Sequence, residues 1–274
     1  MSPGGSGALG QATGYPDSYD AGLLFPMPRS DSRGALGIHP DAQLPFSGID
    51  RWHAWEVSWL NPQGKPELAI GRFDIPADSS HMVESKSLKL YLNGYNNERM
   101  ASREAVRALI ETDLSAACQS GVTVALYAPD EIPDMVFRAA GESIDGLDVA
   151  CDVYYPDATL LSADGDLIEE VLHSDLLRTN CPVTLQPDWA SLILRYRGPA
   201  IDRAGLLRYI VSYRMHADFH EHCVERIYMD IMARCRPELL TVHACYTRRG
   251  GLDINPWRSN FEPPPESFVK LARQ

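Results

Sequence analysis

Two short segments of this chain recur at nearly constant spacing, and that recurrence constrains the fold more than any single motif. Asn61-Pro62 and Cys181-Pro182 stand 120 positions apart, and Pro66-Glu67-Leu68-Ala69 and Pro187-Asp188-Trp189-Ala190 stand 121 apart. Each copy continues with strand-like, mixed and then helical patterning, the mark of a degenerate internal repeat. In the first copy, Trp52 to Leu60 and Leu68 to Phe73 read as strands around the turn Asn61-Pro62-Gln63-Gly64. Ser85 to Tyr95 fits strand or helix equally, because its apolar residues alternate with cations over too short a run. Ser102 to Ser120 reads as an amphipathic helix, capped by Ser102 and ended by Gly121, and Val122 to Tyr127 as a strand. In the second copy, Asp166 to Leu172 and Trp189 to Tyr196 are predicted strands, Arg203 to Met215 and Glu221 to Arg234 helices, and Leu239 to Tyr246 a closing strand. The expectation is an α+β protein with a flexible arm over residues 1–45, a first module over 46–150 and a second over 151–274.

The copies have diverged in a complementary way. The first has Asn61 where the second has Cys181, and nothing like Phe219-His220-Glu221. The second has Asp202-Arg203-Ala204-Gly205 where register places Glu84-Ser85-Lys86-Ser87. A thiol with a carboxylate seven residues on (Cys181, Asp188), followed by Asp218-Phe219-His220-Glu221, supplies the parts of a covalent catalyst. Glu84-Ser85-Lys86-Ser87-Leu88-Lys89 supplies one carboxylate and two cations within six positions, suited to a polar, partly anionic ligand. One half retains the thiol chemistry and the other the cationic motif, so one site drawing on both is expected. Each residue also has a bland reading. Cys181 fits a buried structural thiol, Asp188 a turn residue after Pro187, His220 a core histidine, and the lysines a solvated surface.

Composition narrows the partners. A formal net charge of −12 over 274 residues opposes a nucleic-acid-binding surface, which needs clustered Lys and Arg. Free small molecules are the expected ligands. No run of eighteen apolar residues occurs, so no membrane span is predicted, and the Gly-, Ser- and Pro-rich start lacks the apolar segment of a secretory leader. Six cysteines, at 118, 151, 181, 223, 235 and 245, show no CxxC spacing, which fits free thiols in a reducing cytoplasm. Gly5-Ser6-Gly7-Ala8-Leu9-Gly10 matches the dinucleotide fingerprint by letter, but no strand precedes it, so it is set aside. His220-x-His222-Cys223 suggests a metal set. On a helix, however, positions 220 and 222 diverge by about 200°, and no metal is expected.

Glu84 to Tyr91, Cys181 to Asp188 and Asp218 to Glu221, in that order, resemble the nitrile reductases of queuosine biosynthesis in their long, two-module form, over roughly residues 35–260. The resemblance implies tandem tunnelling-fold (T-fold) modules, antiparallel sheets with paired helices on one face, assembling at least as a homodimer. It implies NADPH-dependent reduction of the nitrile of 7-cyano-7-deazaguanine to the primary amine, on the free base. Carried over by motif, Cys181 is the nucleophile that forms a thioimide, Asp188 the proton shuttle, and His220 a donor beside the substrate. The start of a helix disfavours a charged His220. Glu84 and Glu221 would hold the N–H and amine edge of the base, with Phe219 on its face and Ser85 nearby. Lys86, Ser87 and Lys89, and Arg248-Arg249-Gly250, would meet the phosphates of NADPH in the absence of a Rossmann loop. Two other readings compete: a cysteine-dependent amidinotransferase or nitrilase, and a silent purine- or pterin-binding scaffold. The first leaves the lysine motif unexplained and the second leaves Cys181 unexplained.

Overall fold

A computed structural model describes residues 16–132, 137–266 and 270–274. The Gly5 to Gly10 fingerprint lies outside the described residues. The chain forms two compact units that interleave in sequence: residues 1–31, 51–133 and 249–252 make the first, and 32–50, 134–248 and 253–274 the second. A single break near residue 150 was the sequence expectation. Exchanges of chain such as 32–50 depend on long-range contacts, which leave no local period to read.

Both units are mixed α+β with predominantly antiparallel pairing. In the first, β1 (Pro26–Pro28) pairs with β4 (His81–Val83), and β3 (Pro66–Pro76) with β5 (Thr123–Tyr127), both antiparallel. β3 follows β2 (Ser47–Leu60) through the predicted turn, where Asn61 Oδ1 accepts from the amides of Gln63 and Lys65, both at 3.0 Å. Along β3 only alternate residues are buried (Ala69, Gly71, Phe73 and Ile75), the period of a half-buried strand. The ambiguous segment at 85–95 is helix α2 (Ser85–Asn93), decided by an N-cap that sequence period cannot see. α3 (Arg103–Cys118) starts at Ser102, whose hydroxyl accepts from Ala105 N at 3.1 Å. It ends at Gln119, not at Gly121, because Gln119 itself takes the left-handed conformation at φ 52°.

The second unit contains α1 (Ser30–Ala35, from Ser32), β6 (Glu142–Ser143), β7 (Ala163–Asn180), β8 (Pro187–Ile201), α4 (Arg203–Ser212), α5 (His220–Cys235), β9 (Leu239–Tyr246) and β10 (Leu252–Ser259, from Asp253). Its sheet runs β10-β9-β8-β7-β6, and α5 packs on β7, β8 and β9. The sequence reading missed β10. Consequently Arg248 to Gly251 do not trail the last strand; they connect β9 to β10.

Structure extends the repeat beyond what the sequence displays. In the first unit the Tyr91 and Tyr95 hydroxyls lie 2.7 Å apart and Tyr91 donates to Asp113 at 2.6 Å; in the second, Tyr209 and Tyr213 are 2.9 Å apart and Tyr209 donates to Asp230 at 2.7 Å. Both ring pairs meet at 83°. Asp20-Ala21-Gly22-Leu23-Leu24 and Asp157-Ala158-Thr159-Leu160-Leu161 each form a 3-10 turn capped by the aspartate. The residue after each turn accepts from the acidic cap of α2 or α4: Phe25 O from Glu84 N at 3.0 Å, and Ser162 O from Asp202 N at 2.9 Å. The first of these turns lies in the expected flexible arm. There Tyr19 donates to Asp113 at 2.7 Å and Gly94 is pressed so close to Ser18 O that a Cβ would sit 2.7 Å away. Those partners are 94 and 76 residues away in sequence, so the segment shows no period of its own.

A buried charge cluster holds α5 in the second unit. Arg258 Nη2 reaches Asp50 at 2.8 Å and Glu225 at 2.9 Å, with Arg258 and Asp50 side chains 0% exposed and Glu225 1%. Arg33 of α1 reaches the same Glu225 at 2.7 Å, and Arg258 Nη1 also donates to the carbonyls of Ile49 and Trp257. Burial alone would favour a neutral Arg258, but Asp50 and Glu225 outweigh it and hold its pKa above the usual arginine value. Counted from the helix starts, the position matching Glu225 on α3 is Ala108, so only one copy carries this device. Removing one partner of a buried pair leaves an uncompensated charge. Glu225→Ala is therefore expected to lower unfolding stability by about 3–5 kcal/mol, measured by urea denaturation.

Candidate active site

Cys181 lies in the tight loop between β7 and β8. Its amide donates to Gln186 O at 2.9 Å and its carbonyl accepts from Leu185 N at 3.0 Å. Leu185 closes the loop at φ 57°, a left-handed conformation rare outside glycine, with its side chain exposed. Asp188 follows on β8, paired in register with Thr179 of β7, and is buried. Its Oδ2 lies 3.3 Å from His220 Nε2 at the first residue of α5. If that nitrogen carries the proton, Nδ1 presents a lone pair; Nδ1 is buried and has no hydrogen-bond partner among the described residues. The imidazole stacks on Tyr246 of β9, with centroids 3.7 Å apart and planes 13° from parallel. Burial above all, and then nearby groups including Asp188 and Glu221, hold the Tyr246 phenol well above its ordinary pKa, so this wall of the site stays neutral.

The loop before α5 is built around Asp218. Its Oδ1 accepts from Phe219 N at 2.8 Å and His222 Nδ1 at 3.0 Å, and its Oδ2 lies 3.5 Å from His216 Nε2. Burial alone would raise this carboxyl, but the two histidines and the Phe219 amide win and hold it well below the ordinary aspartate value. Phe219 is the N-cap of α5 without a side-chain cap bond, so Asp218 takes over the orienting role, its charge facing the positive helix end. Glu221 is buried in the first turn. Phe219 meets His222 edge-on, with centroids 5.7 Å apart.

In the first unit, Glu84 is the N-cap of α2. Its two carboxylate oxygens accept from Lys86 N and Ser87 N, both at 2.8 Å, and the residue is buried. Asp202 does the same for α4, from Ala204 N and Gly205 N at 3.1 Å. Oε1 also accepts from the Ser85 hydroxyl, but Oε2 keeps a second lone pair, so capping does not exhaust the carboxylate. The Ser87 hydroxyl donates to Glu84 O at 2.7 Å and accepts from Phe25 N at 3.0 Å. Ser85 contacts Glu84 at 3.4 Å. Lys89 lies against Gly250: a Cβ there would come within 3.1 Å of its terminal carbons and nitrogen, and Gly250 sits at φ 59°. The lysine motif and the Arg249-Gly250 turn, distant in sequence, are thus neighbours in this unit. A Cβ on Gly251 would come within 2.9 Å of the Glu56 carboxylate, and Arg248 falls in the second unit.

Sequence reading thus reached Cys181, Asp188, His220, Phe219 and Glu221, all found in the second unit, and Glu84, Ser85, Lys86, Ser87 and Lys89, all found in the first. It missed Tyr246, which looks like any strand aromatic. It also missed the orienting role of Asp218, although an acid one residue before a helix cap is a readable signal.

Comparison with known proteins places this chain. Residues 15–126 match the family model "Nitrile reductase, 7-cyano-7-deazaguanine-reductase N-term", and residues 187–265 match "QueF-like protein". Relatives named NADPH-dependent 7-cyano-7-deazaguanine reductase include one from Chromohalobacter salexigens, 52% identical over 97% of this chain and 96% of its own. One from Bordetella pertussis is 54% identical over 97% of both, and one from Stenotrophomonas maltophilia is 56% identical over 92% of both. A solved archaeosine synthase QueF-Like in the apo form aligns at 14% identity and TM-score 0.32, over 37% of this chain and 99% of that one. The chain belongs to the NADPH-dependent 7-cyano-7-deazaguanine reductase family.

Two outcomes test the local geometry. Glu84→Ala removes the cap and is expected to cost about 1–2 kcal/mol in thermal or urea unfolding, whereas Glu84→Asp, which copies Asp202, stays within about 0.5 kcal/mol. Asp218 has a depressed folded pKa, so its contribution is present above the ordinary value of 3.8 and fades as pH falls below it. The stability gap between wild type and Asp218→Asn, followed by urea melts across pH, should therefore be largest near neutrality and narrow below about pH 4.

Proposed function

We propose that this chain reduces the nitrile of 7-cyano-7-deazaguanine to 7-aminomethyl-7-deazaguanine with NADPH, through a Cys181 thioimide. The observation that carries the reading is one thiol-bearing loop, one buried carboxylate and one imidazole gathered in a single unit, with Asp188 and His220 in direct contact. In the proposed sequence Cys181 adds to the nitrile carbon while Asp188 takes the thiol proton and passes it to the imide nitrogen. His220, held by Asp188 and the Tyr246 ring, is oriented to exchange protons with the nitrogen as it becomes an amine. The first hydride converts the thioimide to an amino thioether, whose C–S bond then breaks to return the Cys181 thiolate and leave an imine; the second hydride reduces that imine to the amine, for a balance of two hydrides and two protons per nitrile.

Glu84 and Glu221 would accept from the N–H and amino edge of the base, Ser85 would add a hydroxyl, and Phe219 would lie on the ring face. Lys86, Lys89, Arg248, Arg249 and Gly250 would hold the cofactor phosphates; the Ser87 hydroxyl, expected beside them, is instead engaged by Glu84 O and Phe25 N. The absence of a Cβ at Gly250, beside the Lys89 ammonium, fits an anion approaching that turn closely. NADPH supplies the hydride for each reduction when bound. We further read the two units as tandem T-fold modules, the first carrying the cofactor motif and the second the catalytic cysteine, in a cytoplasmic homodimer that handles free base and not nucleic acid. The duplicated caps and Tyr-Tyr-Asp networks support that reading.

Intact-mass spectrometry of protein with 7-cyano-7-deazaguanine and no NADPH tests the mechanism. One substrate mass is expected on wild type, none on Cys181→Ala, and added NADPH should discharge the adduct to the amine. An active protein lacking that adduct would refute the thioimide. Glu84→Asp, which keeps the cap, should raise the KM for the nitrile at least about tenfold, a loss of about 1.4 kcal/mol of binding.

A further inference from the structure

Trp189 immediately follows Asp188, and strand alternation sends the two side chains to opposite faces of β8. Asp188 turns toward His220 and α5; Trp189 turns away from them and is only half-buried. Three guanidinium groups surround its ring: Arg214 at 5.6 Å, Arg178 at 5.8 Å and Arg273 at 5.9 Å from the centroid. Arg178 is the cross-strand partner of Trp189 on β7 and donates to the backbone carbonyl of Arg214. Arg273 donates to Asp175 O and lies 3.8 Å from the Asp175 carboxylate. Arg214 is exposed, and its guanidinium has no hydrogen bond or ion pair to any described residue.

Three cations thus meet one loosely paired carboxylate, in a chain of net charge −12. Cation–π attraction to one ring does not offset mutual repulsion among three guanidiniums; an anion between them does. A flat aromatic face beside forked guanidinium donors suits a purine that carries phosphate: the ring stacks and the forks take the phosphate oxygens in pairs. We propose that Trp189, Arg178, Arg214 and Arg273 form an anion subsite for the phosphorylated adenosine end of the nicotinamide dinucleotide. This rests on the cofactor reading above. The subsite uses none of the residues assigned to the thiol chemistry.

The test uses the full chain and adenosine 2′,5′-bisphosphate, with binding measured by isothermal titration calorimetry, on wild type, Arg214→Gln/Arg273→Gln and Lys86→Gln/Lys89→Gln. The arginine double variant is expected to bind the bisphosphate at least about tenfold more weakly, equivalent to about 1.4 kcal/mol. Its KM for NADPH should rise comparably, while its KM for the nitrile and its Cys181 adduct yield without NADPH stay at wild-type values. Unchanged bisphosphate affinity in the arginine variant overturns the proposal, as does a loss confined to the lysine variant. Tighter binding of a single-stranded oligonucleotide than of the bisphosphate at the arginine cluster also overturns it. If the wild type forms no nitrile adduct, the proposed reaction falls, but bisphosphate binding still reports on this subsite separately.

Discussion

The buried arrangement Asp50–Arg258–Glu225–Arg33 is the constraint on which the second unit depends. Four charges from the head of β2, β10, α5 and α1 meet where water is excluded, and each is tolerable only while the others stay in place. Such a cluster adds little net stability over an apolar core of the same shape, but it penalises misplacement of any member. α5 is the element so fixed, and its first two residues are His220 and Glu221. Asp218 fixes the loop that leads into the same helix, and the Asp188 carboxylate and the Tyr246 ring orient the imidazole from two sides.

Duplication explains how one chain divides its chemistry. Both units use an acidic N-cap on the first helix of a pair, a Tyr-Tyr-Asp network and a capped 3-10 turn. With that scaffold held in common, the variable positions are free to specialise. In the first unit Asn61 stands where Cys181 stands in the second, and its side chain bonds Gln63, Lys65 and Glu67, stabilising its turn. In the second unit the same turn carries the thiol. Conversely, the cap that is Asp202 in the second unit is Glu84 in the first, one methylene longer, followed by Ser85 and Lys86 instead of Arg203 and Ala204.

Much of the fold was legible where interactions are local. The hairpin turn at Asn61, the Ser102 cap and the face of α3, and the strand over Leu239–Tyr246 all come from residues within a few positions of one another. The candidate site was legible as three motifs because each is short and chemically distinctive. Illegible were β1, α1 and β10, whose partners lie far away in sequence, and the left-handed termini at Gln119 and Arg236, where non-glycine residues adopt a conformation that composition does not announce. Ser87, expected to face a cofactor, has its hydroxyl engaged by Glu84 O and Phe25 N, a contact spanning sixty-two residues.

Sequence by itself determined the duplication, the α+β character and the types of reactive group, because repeated spacing and side-chain chemistry are written in the order of residues. Tertiary structure alone decided which groups are neighbours. It set the Asp188 carboxylate 3.3 Å from His220, laid Lys89 on Gly250, gathered three arginines around Trp189 and moved residues 32–50 into the second unit. Those proximities follow from strand pairing and burial between residues that lie 11 to 161 positions apart, and a linear pattern carries no measure of distance through space.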